Sequence, residues 1–278
     1  MLYRYTLSRR QFLSSVLTTG AVLGFAVHAG RGFAANTGVC EASAEQTLGP
    51  YYLDKRLVRR DISERKPGVP LQLRFTVIDV RGCVPLADVL VDVWQCDALG
   101  VYSGFGQLAD LGPRDAPPLA PPPSALGPAG VNHEPPLGMP LAPRPTDALT
   151  FLRGVQPTGR DGVARFDSIV PGVYPGRTNH VHFRVRSRAD ASVGDHVAYT
   201  GQVFFPETLI VPLMRDMTPY RDNRIARVAL TDDPIYVSQH GAQAVAHTTL
   251  VDSLDPARGV VANVIVAIDS AAMSRETG

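Results

Sequence analysis

Pro70-Leu71-Gln72-Leu73-Arg74-Phe75-Thr76-Val77-Ile78-Asp79 is the stretch on which the reading of the fold turns. Leu71, Leu73, Phe75, Val77 and Asp79 alternate with Gln72, Arg74, Thr76 and Ile78. A period of two puts the first set on one face of a strand. Arg81-Gly82 turns the chain, and Val89, Val91 and Val93 then alternate with Leu90, Asp92 and Trp94. Further strand-like runs are expected over 163–168, after the turn Gly159-Arg160-Asp161-Gly162, and over 180–185, 199–207, 224–230 and 260–268. Helical periodicity is scarce, with one short helix expected near 207–215. Many short strands between turn signals predict an all-β chain, a β-sandwich core with long loops and little helix.

Outward from that core, the chain of 278 residues is long enough for one sizeable domain. A net charge of +1 argues against a nucleic-acid or polyanion partner. Residues 1–35 read as an address and 36–278 as the folded domain. Ser8-Arg9-Arg10-Gln11-Phe12-Leu13 has the form of a twin-arginine signal, followed by an apolar run over 16–27 and small residues over 32–35. The run is short for a membrane span, so no stable membrane anchor is expected. Export by the twin-arginine route, to a periplasmic or extracellular place, is the expectation. A retained anchor is the alternative.

An exported chain is allowed a disulfide. Cys40, Cys83 and Cys96 permit three single bridges, and no zinc spacing is present. Cys40 with Cys83 is the expected pair, since both precede strands in loops while Cys96 ends one. Residues 113–145 hold 12 of the 24 prolines and must be a long loop, either a lid or a plain insertion. Tyr51 and Tyr52, after the Gly49-Pro50 turn, cover either a pocket or the edge of the core.

The chemistry gathers in Pro171-Gly172-Val173-Tyr174-Pro175-Gly176-Arg177-Thr178-Asn179-His180-Val181-His182-Phe183-Arg184-Val185. His180 and His182 share one strand face and can reach one metal ion, or can be two half-buried core histidines. Tyr174 lies on a Pro/Gly turn that can aim its phenol at the same point. Tyr102 sits just past the strand end at Trp94. Two phenols and two imidazoles are a mixed donor set that suits Fe(III) better than zinc. A tricationic iron would deprotonate both phenols.

These segments, with Gly49-Pro50-Tyr51-Tyr52, Val93-Trp94-Gln95-Cys96-Asp97-Ala98-Leu99-Gly100-Val101-Tyr102 and Gly201-Gln202-Val203-Phe204-Phe205, resemble the intradiol ring-cleavage dioxygenases of the protocatechuate and catechol dioxygenase superfamily. The resemblance implies a β-sandwich holding non-haem Fe(III). It also implies cleavage of a small aromatic diol with O2, between the two hydroxyl-bearing carbons. By the same resemblance Tyr102 and His180 correspond to equatorial ligands, and Tyr174 and His182 to axial ones. Tyr174 would also accept substrate protons, and Arg177 would stabilise charge on the ring. Gln202 would lie near the ring, with a purely structural amide as its alternative; a surface arginine is the alternative for Arg177. The chain departs from the family in lacking a long N-terminal helical region, in carrying all four ligands itself and in its export signal. A homo-oligomer is compatible with the sequence. Two rival readings are an exported non-catalytic binding module and a metalloprotein without oxygenase activity.

Overall fold

The computed structural model describes residues 40–106, 143–186 and 196–275. The expected signal (1–35) and most of the proline-rich loop (107–142) lie outside the described residues. Among the described residues nine strands form two sheets: β1 (Pro70–Asp79), β2 (Val84–Pro85), β3 (Leu90–Trp94), β4 (Arg153–Pro157), β5 (Val163–Ile169), β6 (His180–Arg186), β7 (Val197–Phe204), β8 (His247–Leu250) and β9 (Val260–Ile268). The first sheet runs β2-β1-β9-β8, with β5 also on β1; the second runs β4-β3-β6-β7. Pairing is antiparallel except between β1 and β9. The all-β sandwich expected from the alternation is the observed architecture.

The alternation in β1 has its physical meaning here. Leu71, Leu73, Phe75 and Val77 are buried while Gln72 and Arg74 face outward. Their face meets Val91, Val93, Val181, Phe183 and Val185 of the second sheet in one apolar core. The Phe75 and Phe183 rings lie 4.8 Å apart across it. Each such ring contributes about 1.5–3 kcal/mol by leaving water.

The second sheet is buried on both faces, since every residue of β6 and β7 is buried. Its outer face is covered by the N-terminal segment. Gln46 N–H donates to Thr200 O at 3.0 Å, and Val58 bridges to Val155. Cys40 and Cys83 are bridged, their Cα atoms 5.5 Å apart, which ties this segment to the β1–β2 turn as expected. Cys96 is a buried free thiol.

Two readings change. Residues 224–230 form no strand: Leu230–Asp232 is a 3-10 turn and the rest is irregular. Among the described residues the segment pairs with no strand, and Arg227 instead anchors it to Glu207 at 2.6 Å. β4 and β8 were not anticipated. β4 contains Gly154 and Pro157, and is held by β3 on one side and by the Val58 bridge on the other. The expected helix is present as Glu207–Asp216, joined by a five-residue helix, Pro234–Ser238.

Candidate metal centre

Two loops and one strand bring the candidate ligands together. The first loop follows β3. Asp97 organises it by accepting the Leu99 and Val101 N–H groups, each at 3.0 Å, and Gly100 supplies φ +88. This loop ends at Tyr102. The second is the Pro171–Gly176 turn that presents Tyr174. Gly172 N–H donates to Asp97 O at 3.1 Å, and Asn223 donates to Val173 O at 3.1 Å and Ala98 O at 3.3 Å. Those three bonds stitch the two tyrosine loops together. β6 supplies His180 and His182 on its outer face.

The side chains converge. His180 Nε2 and His182 Nε2 are 3.0 Å apart, and Tyr174 Oη is 3.4 Å from His180 Nε2. Tyr102 lies beside them, its ring 5.6 Å from that of Tyr174 and 6.4 Å from that of His182. All four are buried. His180 Nδ1 is 2.7 Å from Thr178 O. A carbonyl only accepts, so Nδ1 carries the proton and the Nε2 lone pair points into the cluster. Both rings lie outside the sandwich core, buried among Trp94, Tyr102, Tyr174 and Arg177.

Burial, and then the Arg177 charge, holds His180 well below the ordinary imidazole range; burial, His180, Arg177 and Arg153 do the same for His182. Both imidazoles are neutral and ready to donate lone pairs. Burial pushes the Tyr102 and Tyr174 phenols above their usual range, with Arg177 opposing it in each case. A phenol in such a place ionises only beside a cation.

The residues fit an iron ion on these grounds. The Tyr102 hydroxyl is buried with no hydrogen-bond partner among the described residues, an arrangement that ordinarily costs stability. Two imidazole Nε2 atoms face each other at hydrogen-bond distance. A cation among them would satisfy all of these atoms at once. Among the described residues no group of three His, Cys, Asp or Glu side chains could hold a metal. Tyr102 and Tyr174 are the oxygen donors beside the histidine pair, and phenolate oxygen suits a hard trivalent ion.

Arg177 is fully buried, which removes the surface-arginine alternative. Its Nη1 lies 3.3 Å from both Tyr174 Oη and His180 Nε2. Its Nη2 donates to Gln202 Oε1 at 2.6 Å, and Nε donates to Asp233 Oδ2 at 2.8 Å. Gln202 pairs with His182 across β6 and β7, and its amide also donates to Thr47 O at 2.9 Å. Both Gln202 bonds brace neighbours, so its visible work is to hold Arg177. Tyr51 stacks on Tyr102 at 4.6 Å and covers the centre. Tyr52 instead bonds Arg186 and Asp92, away from it.

Sequence reasoning missed Asp233, Asp97, Asn223 and the supporting face of Trp94, which stacks parallel on His182 with centroids 5.2 Å apart. Gly49 was read only as a turn residue. It has φ +74, and an added Cβ would come within 2.7 Å of His182 Cε1. The Asp233-Pro234 pair was the one available signal, as a helix start.

No family model and no curated protein matches the sequence. Solved structures do. An intradiol ring-cleavage dioxygenase from Tetranychus urticae is 25% identical with a TM-score of 0.66, covering 85% of this chain and 98% of that one. A second dioxygenase structure is 25% identical with a TM-score of 0.65 over the same shares. The dioxygenase domain of a dioxygenase carbohydrate-binding protein fusion from Streptomyces sp. SirexAA-E is 23% identical, with a TM-score of 0.50, over 83% of this chain and all of that one; it shares the fold. The likeness extends over nearly the whole of those chains, so this chain is similar in structure to intradiol ring-cleavage dioxygenases.

Proposed function

We propose that this protein is a non-haem Fe(III) dioxygenase that cleaves a catechol-type ring between its two hydroxyl-bearing carbons. Tyr102, Tyr174, His180 and His182 would hold the metal. The observation that carries the reading is the meeting of Tyr174 Oη and two imidazole Nε2 atoms within 3.4 Å, beside the unpartnered Tyr102 hydroxyl. When bound, Fe(III) would supply a Lewis acid that binds a dianionic diol and draws electron density from its ring.

The chain's own residues do the rest. Tyr174 Oη, ionised where iron is bound, would take a hydroxyl proton from the entering diol. Arg177 Nη1, 3.3 Å from that oxygen, stabilises the negative charge that develops on the ring. Gln202 keeps the guanidinium in place. Tyr51 and the buried setting keep bulk water from the reacting carbons. In the net reaction one ring carbon–carbon bond breaks, both atoms of O2 enter the product as carboxylate oxygens, and no outside reductant is consumed.

The Cys40–Cys83 bridge supports an oxidising destination, in keeping with the twin-arginine form of residues 8–13. The test is oxygen uptake by iron-loaded protein against a panel of catechols, with product analysis, metal content and the visible spectrum. Phenolate-to-Fe(III) charge transfer gives colour, one iron per chain is expected, and the product should be an opened-ring dicarboxylate. Iron-loaded, coloured protein without oxygen uptake would leave a metalloprotein of another kind. Protein that stays colourless and iron-free under mild reconstitution would sink the metal assignment altogether.

A further inference from the structure

We infer that Asp233 is a positioning residue of this centre, aiming the Arg177 guanidinium and fixing the peptide that orients His180; its kinetic consequence rests on the ring-cleavage reading above. Asp233 is fully buried and 56 residues from Arg177 in sequence. Its carboxylate takes four N–H donors. Oδ1 accepts from Ile235 N and Tyr236 N, each at 3.0 Å, and so caps the helix Pro234–Ser238. Oδ2 accepts from Arg177 Nε at 2.8 Å and Thr178 N at 2.9 Å.

The division of labour between the two oxygens is the argument. A helix cap needs only one of them, and Asn or Ser would cap about as well. The second oxygen is spent wholly on the site. A guanidinium offers its donors in a rigid fork. With Nε held by Asp233 and Nη2 held by Gln202, Nη1 has one direction left, toward Tyr174 Oη and His180 Nε2. The bond to Thr178 N holds the same peptide segment whose carbonyl receives His180 Nδ1–H. One carboxylate thus sets both the direction of the positive charge and the facing of a candidate ligand. It also supplies the opposite charge that a fully buried guanidinium needs.

Asp233→Asn separates the two roles. It keeps an oxygen for the cap but places an NH2 group against the Arg177 and Thr178 donors. Asp233→Ser is the second variant; it retains a capping oxygen and has no second acceptor. The first readout uses metal-free protein: the Arg177 Nε–H signal in guanidinium-edited proton–nitrogen NMR, identified by its absence in Arg177→Leu. It should be slow to exchange in the parent protein and lost or fast-exchanging in both variants. The second readout is turnover of iron-loaded protein. A misaimed donor should cost about 10²-fold in kcat. The loss should not add to that of Arg177→Leu, because both changes remove the same interaction.

A protected Arg177 signal that persists in a folded variant overturns the inference. So do losses that multiply in the double variant, which would mark a general structural role. Should the parent protein show no ring cleavage, the functional reading fails by itself and the NMR comparison still decides the placement of Arg177. If Asp233→Asn does not fold, Asp233→Ser carries both readouts.

Discussion

The two faces of β6 are equally buried and chemically opposite. Val181, Phe183 and Val185 point into the sandwich; His180, His182, Arg184 and Arg186 point the other way. The inner face is closed by another sheet, and its contacts are non-directional. The outer face is closed by the N-terminal segment, and there nearly every polar atom needs a named partner. Arg186 and Asp92 find each other at 3.1 Å, and Arg177 is held on three edges. Among the described residues the Tyr102 hydroxyl, Trp94 Nε1 and His182 Nδ1 find none. On the inner face an apolar side chain needs volume; on the outer face a polar atom needs a partner of the right kind and direction.

The comparison predicts different damage on the two faces. Phe183→Ala opens a cavity against Phe75 and Tyr199 and should cost about 3–5 kcal/mol of stability. Denaturant unfolding measures this, and a loss under about 1 kcal/mol would mean that the inner face packs far more loosely than its burial implies. Arg177→Leu, on the outer face, removes no ligand. Iron content and resting colour should stay close to the parent's, while turnover falls by about 10²–10³-fold. A lysine there should rescue only in part, since it lacks the planar fork. Near-normal turnover of Arg177→Leu on the best catechol would break the assignment.

The smallest expected effect separates the faces by pH. Burial raises the Asp92 carboxyl to about 6, with Arg186 and Tyr52 opposing the shift. A carboxyl raised above its unfolded value favours the fold fully below the unfolded pKa, near 4, and loses that contribution as pH rises through about 6. The span of about two units corresponds to about 3 kcal/mol at most. Stability measured between pH 4 and 7 should therefore fall with rising pH by more in the parent than in Asp92→Asn. The same comparison on Phe183→Ala should retain the parent's slope, because that face carries no titrating group. Parallel curves for Asp92→Asn and parent would show that Arg186 fully compensates the buried carboxylate.

What was legible in the sequence was local. Alternation named the buried side of β1 correctly, down to Asp79, because a strand's period of two is a property of the backbone alone. The same rule placed His180 and His182 on one face. The disulfide was readable from which cysteines lay in loops before strands, and the helix near Glu207 from its period. The strand reading failed at 224–230, which pairs with no strand among the described residues, and was silent at Arg153–Pro157, whose Gly and Pro hide a strand that β3 stabilises from outside.

Tertiary structure alone decided the surroundings of the site. Asp233 reaches Arg177 across 56 residues, Gln202 reaches Thr47 across 155, and Gly49 meets His182 from another segment. No periodicity encodes such pairs. Whether a buried arginine is matched or a phenol is left without a partner depends on which distant atoms folding brings within about 3 Å. The sequence by itself determined the alternating strands such as β1, β3 and β6, and the shared face of the two histidines. The packing of the N-terminal segment and of the loop at Asp233 against that face decided that Arg177 is buried, where its three edges point and which oxygen remains unpaired, because hydrogen bonds and desolvation act through space and not along the chain.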